Sequence, residues 1–127
     1  MGGPEVTSSG GESRDALADE RARTLALVES LSERLAAVVE ASADAAADDE
    51  HDPEGTTLAV ERGHLVAQVE RSRARLDEID HALGRFDRGA YGTCETCGRP
   101  IGADRLEVLP AARQCVDCAI RRPSTRW

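Results

Sequence analysis

Two stretches of the chain repeat apolar side chains at helical intervals. In the first, Leu17, Thr24, Val28, Leu31, Leu35, Val38, Ser42 and Ala45 recur at steps of three, four or seven residues, which gathers them on one helix face. Ser13, followed by Asp15, Asp19 and Glu20, suits a helix N-terminus, because acids in the first turns meet the positive end of the backbone dipole. In the second, Leu58, Leu65, Val69, Leu76, Ile79, Leu83 and Phe86 follow a seven-residue repeat that Arg62 and Ser72 interrupt. Thr56 or Thr57 is the expected N-cap of this helix and Gly89 its expected left-handed cap. Two stripes of similar length bury each other best as an antiparallel coiled-coil hairpin.

The segment between the stripes is acidic. Asp44, Asp48, Asp49, Glu50, Asp52 and Glu54 surround Pro53 and Gly55; the proline pushes His51-Asp52 out of helical geometry and the glycine tolerates a turn. Residues 1–12 are rich in Gly and Ser with no apolar period, so ordering them would not repay its entropy, and a disordered tail is expected. The predicted organisation is a tail over 1–12 and a hairpin over 13–88 with its acidic tip at 44–55. A cysteine-bearing module over 89–122 and a C-terminal tail over 123–127 complete it. Within the module, residues 101–109 are expected as a short strand or turn, and residues 118–122 as a short final helix stopped by Pro123.

The module carries the chemistry. Cys94-Glu-Thr-Cys97 and Cys115-Val-Asp-Cys118, with seventeen residues between the pairs, have the spacing that closes a four-sulfur shell around one zinc ion. Gly98 frees the first turn to aim amides at the thiolates. A redox site needs a single pair near a βαβ pattern, which is missing here. No signal peptide and no apolar run of membrane length is present, so a reducing cytoplasm is the expected compartment and metal is favoured over disulfides. With all four positions taken by Cys94, Cys97, Cys115 and Cys118, no site is left for water or substrate, so the zinc is structural. His51, His64 and His81 are then expected as surface or interface imidazoles and not ligands.

Composition sharpens this picture. A chain of 127 residues with Phe86, Tyr91 and Trp127 as its aromatic residues cannot build a large core, so helix pairing and metal must supply stability. The net charge of −8 is uneven: residues 1–83 hold 8 Arg against 19 acids, residues 84–127 hold 8 Arg against 5. The long acidic segment therefore disfavours nucleic acid as its partner. Arg99, Arg113 and Arg121 can balance the −2 of a zinc ion held by four thiolates, and Arg121, Arg122 and Arg126 form a small basic tail. No phosphate-binding loop or nucleophile elbow occurs, and an enzyme is not expected.

Beyond the cysteines, three runs resemble one family. Leu76-Asp-Glu-Ile79-Asp-His-Ala-Leu83, Gly89-Ala-Tyr-Gly92-Thr-Cys94-Glu-Thr-Cys97-Gly98-Arg-Pro-Ile101 and Arg105-Leu-Glu107-Val-Leu-Pro110-Ala-Ala-Arg-Gln-Cys115-Val-Asp-Cys118-Ala are similar to the zinc module of the DksA/TraR transcription factors. The match covers residues 76–120, preceded by a hairpin of the right order. The resemblance implies a mainly α protein, an antiparallel coiled-coil hairpin followed by a small four-cysteine zinc finger with a short C-terminal helix. It implies a regulator that binds RNA polymerase and inserts its acidic tip into the secondary channel to modulate initiation, often together with ppGpp. Family tips show Asp-Pro-x-Asp, for which Asp52-Pro53-Glu54-Gly55 is the preferred alignment because Pro53 fixes it; Asp49 to Asp52 is the other register. The implied contact residues are Asp52 first, then Asp49, Pro53 and Glu54. Positions that are basic in ppGpp-responsive members are Leu109 and Ala119 here, so weak or absent ppGpp binding is expected. A monomer is expected, with no membrane association and no sequence-specific DNA contact. The other readings are a zinc-stapled coiled-coil adaptor and, disfavoured by the acidic hairpin, a DNA-binding zinc module.

Overall fold

The computed structural model describes the backbone of residues 3–48 and 53–121, and the side chains of residues 11–44 and 56–121. The elements are α1 (Gly3–Asp48), α2 (Pro53–Asp87), α3 (Ala103–Val108) and α4 (Val116–Arg121), and among the described residues the β-structure is a single bridge. The protein is thus mainly helical, a long hairpin followed by a cysteine-bearing module. It divides into two compact units, one of residues 22–76 and one of residues 1–21 with 77–127.

In the unit of residues 22–76, Leu31, Leu65 and Val69 form the buried cluster, with Leu35 and Val38 packed against it. These are stripe positions from both helices, and each buried aliphatic side chain contributes about 2 kcal/mol. Thr24 and Val28 are buried as the period expects, whereas Arg62 stays exposed. Ser42 Oγ is buried without a hydrogen-bond partner among the described residues.

In the other unit, Leu17 of α1 meets Ile79 and Ala82 of α2, and Ala111 of the module completes the cluster. The helices run antiparallel here, since Arg14 pairs with Asp87 at 3.2 Å and Arg21 with Asp80 at 2.5 Å. Helix α2 ends at Asp87 and is capped as expected by Gly89, which has φ 73°. The Gly89 N–H donates to Phe86 O at 3.0 Å and the Ala90 N–H to Arg85 O at 2.8 Å, a Schellman arrangement that satisfies the last carbonyls.

Three boundaries differ from expectation. Helix α1 begins at Gly3 and not at Ser13, so the backbone of residues 3–12 is helical where a disordered tail was expected. Pro4 is tolerated in a first turn, and extending an existing helix fixes one residue per hydrogen bond gained. Helix α2 begins at Pro53, which places Thr56 and Thr57 inside the helix and not at its cap. Proline suits a first position because its fixed φ is helical and its missing N–H would be unpaired there. Residues 103–108 form α3 where a strand or turn was expected; the Leu106 N–H donates to Gly102 O at 3.1 Å and the Leu109 N–H to Arg105 O at 2.7 Å. Asp49 and Asp52 lie outside the described residues, as do the side chains of Pro53 and Glu54 and all of residues 122–127, Trp127 included.

Candidate metal centre

The first cysteine pair sits in a tight knuckle. Thr93 and Pro100 form an antiparallel bridge, and the Cys94 N–H donates to Arg99 O at 2.8 Å. The Gly98 N–H donates to Cys94 O at 3.0 Å, with Gly98 at φ 80°, a conformation that strains any residue bearing a Cβ. The backbone so folded aims the Thr96 and Cys97 N–H groups at Cys94 Sγ, 3.4 and 3.5 Å away. The second pair straddles the start of α4. Cys115 precedes the helix and Cys118 is buried within it, and the Ala119 N–H donates to Cys115 O at 2.9 Å.

These two turns bring Cys94, Cys97, Cys115 and Cys118 together, with every sulfur within 4.8 Å of the others and Cys97 3.8 Å from Cys115. A tetrahedral ion with Zn–S bonds of about 2.3 Å requires sulfurs about 3.8 Å apart. The four are free thiols with no disulfide among them. Burial pushes the Cys94 thiol up, but backbone N–H groups of Cys97, Cys115 and Thr96 outweigh it and bring it down to about 6. Burial and the neighbouring sulfurs of Cys115, Cys94 and Cys97 push Cys118 up to about 12. Four thiols this close cannot all ionise without a cation among them, and a divalent metal supplies that charge. The residues therefore fit one structural zinc, with no position open for a catalytic water.

Two layers of packing fix the site. Cys94 and Cys118 are buried with Ile101, and Leu106, Ala112 and Cys115 pack against them. Tyr91 stacks on Phe86 with ring centroids 3.9 Å apart, and its hydroxyl donates to Pro110 O at 2.7 Å. Burial raises the Tyr91 hydroxyl above the ordinary phenol range. Gln114 Nε2 donates to Thr96 Oγ1 at 2.7 Å, joining the loop before Cys115 to the first knuckle.

Pattern reading missed the role of Arg85. The residue is 8% exposed, and its guanidinium donates to Glu95 Oε2 at 2.9 Å, to Ala90 O at 2.8 Å and to Thr93 O. Glu95, inside the first Cys-x-x-Cys, also receives His81 Nε2 and, at 3.2 Å, Arg113 Nε. Burial raises the Glu95 carboxyl, but the His81 contact and the charge of Arg113 overcome it and hold it below the usual carboxylate range. The available signal was a cation between Leu83 and Phe86 on the apolar face of α2, with a carboxylate ten residues on.

Residues 89–123 match the prokaryotic dksA/traR C4-type zinc finger. The solved structure of transcription factor DksA2 from Pseudomonas aeruginosa superposes with a TM-score of 0.76 over 92% of this chain and 84% of that one, at 27% identity. The four-cysteine module of this chain is thus a zinc finger of the dksA/traR type. The chain is 44% identical over 52 residues to the RNA polymerase-binding transcription factor DksA of Caulobacter vibrioides, which is 41% of this chain and 37% of that protein. It is 36% identical over 69 residues to General stress protein 16O of Bacillus subtilis, 54% of this chain and 42% of that one. The chain spans about a third of the length of the first curated relatives it matches, 32% and 37% for two of them. Among the described residues no helix is long and apolar enough to cross a membrane.

Proposed function

We propose that this protein is a transcription regulator that binds RNA polymerase as a monomer and inserts its acidic tip into the secondary channel to modulate initiation. The observation that carries the reading is a four-cysteine finger in a chain 44% identical, over 52 residues, to an RNA polymerase-binding factor. Likeness to DksA2 across 92% of the chain supports a role for the hairpin as well as the finger. Asp52 is the proposed principal contact, Asp49 the second, and Pro53 and Glu54 shape the turn that presents them. Carboxylates suit a channel that leads to catalytic Mg²⁺ and basic side chains. Zinc serves by holding the finger in shape and takes no part in any chemical step.

The ppGpp response differs from that of charge-equipped relatives in this proposal. Leu109 and Ala119 replace two cations, and a charge-assisted hydrogen bond to phosphate is worth about 1.5 to 3 kcal/mol. Calorimetry on the complex with polymerase is expected to show no micromolar ppGpp binding where Leu109 and Ala119 stand.

The test is binding of zinc-loaded protein to polymerase core, with and without a competitor in the secondary channel, for the native chain and Asp52→Ala. Competable binding whose transcriptional effect is lost in Asp52→Ala is expected. Absence of binding would leave the adaptor reading, in which the exposed flanks carry the contact with another protein.

A further inference from the structure

The unit of residues 22–76 carries, besides its apolar core, an open groove between its helices. Two adjoining depressions of about 390 and 310 Å³ make it up, and they share Arg34, Gln68 and Arg71. On α1 the lining residues Leu27, Leu31 and Arg34 recur at helical steps, and on α2 so do His64, Gln68, Arg71 and Arg75. Each helix therefore presents one continuous stripe to the groove, and the core residues Leu31 and Leu65 form part of its floor.

Its chemistry is opposite to that of the chain. Acids outnumber arginines 24 to 16 overall, yet the larger depression is lined by three arginines and no carboxylate, and the smaller adds Glu61 as its one acid. Arg34 and Arg71 form no ion pair among the described residues, whereas Arg75 already has a partner within the chain. Leu27, 48% exposed, lines the same depression, a large apolar side chain sharing the groove with Arg34 and Arg71. A small-molecule site would be enclosed; this one is an open trough. From Thr24 to Arg34 it runs about 15 Å, three turns of helix.

We propose that this groove docks an acidic amphipathic helix of a partner protein. Apolar residues of that helix cover the exposed Leu27, and carboxylates on its flanks meet Arg34 and Arg71, the pattern by which helices seat in grooves. Nucleic acid is the weaker fit. A leucine floor offers nothing to a sugar–phosphate backbone, and the surrounding acidic surface repels it. The proposal concerns a surface separate from the acidic tip and does not require the partner to be RNA polymerase.

The experiment uses the zinc-loaded full chain and a fluorescent synthetic helix of about 14 residues, with leucines on one face and glutamates on its flanks. Saturable binding is expected by anisotropy, weakened roughly tenfold in R34E/R71E and further by salt. Leu27→Ser, at an exposed position, is expected to weaken it too, and circular dichroism is expected to show native helix content in both variants. No saturation, or binding indifferent to both sets of changes, overturns the proposal. Equal affinity for an all-glutamate peptide overturns the amphipathic occupant, and tighter, arginine-dependent binding of duplex DNA overturns the protein one.

Discussion

The two compact units reach stability by different routes. In residues 22–76 it is spread along a stripe, with Leu31, Leu65, Val69, Leu35 and Val38 each supplying a share and no titratable group inside the cluster. In the unit that holds the finger it converges on a few atoms, four sulfurs within 4.8 Å and a guanidinium with three acceptors. The hairpin therefore yields gradually to substitution, whereas the finger stands or falls with single groups.

Removing the metal is the largest way to break that contrast. Chelation is expected to forfeit on the order of 10 kcal/mol of folding free energy from the finger. Hydrogen exchange should then show residues 89–121 unprotected while residues 22–76 keep their protection; loss of both together would show that the units do not differ as argued. Leu65→Ala comes next. At 2% exposure in the hairpin cluster it is expected to lose about 2 to 5 kcal/mol in urea unfolding, with zinc stoichiometry unchanged.

Arg85→Ala is expected to cost about 1 to 3 kcal/mol, because it takes one of three cationic partners from Glu95 and leaves Thr93 O without the guanidinium. Pairing it with Glu95→Ala in a double-mutant cycle should give a coupling energy well above that of Arg14 with Asp87, an exposed pair worth less than about 1 kcal/mol. The pH dependence follows from Glu95. Its carboxyl is depressed in the folded state, so its contribution is complete above the unfolded value of about 4.3 and disappears as pH falls through the lower folded value. Titration downward from about pH 5 should thus weaken the finger, and Glu95→Gln should flatten that part of the profile. Smallest is Ser42→Ala, which removes a buried hydroxyl lacking a partner among the described residues and is expected to stabilise the hairpin by up to about 1 kcal/mol.

The same contrast explains what could be read from the chain beforehand. A heptad stripe is redundant, so Leu17, Leu31, Leu65 and Ile79 announced their burial through their neighbours as much as through themselves. The cysteine spacing and Gly89 were legible because tetrahedral geometry and left-handed backbone each admit few residues. Helix α3 was not, since six residues make fewer than two turns and show no period. Pro53 was legible as a helix boundary, but whether it ends one element or begins the next depends on φ and on an unpaired N–H that pattern does not reveal. Arg85 was hidden for another reason: a long cation on an apolar face ordinarily carries its charge to water, and here acceptors from the following loop meet it.

Those acceptors lie five, eight and ten residues downstream of Arg85. Loops of that length close in tens of nanoseconds, far faster than a ribosome adds the next amino acid. The end of α2 and the turn bearing Cys94 and Cys97 can thus take shape before the more distant Cys115 and Cys118 join them. That makes the first pair a preformed bidentate claw, and the second pair the latch that shuts over an ion already caught.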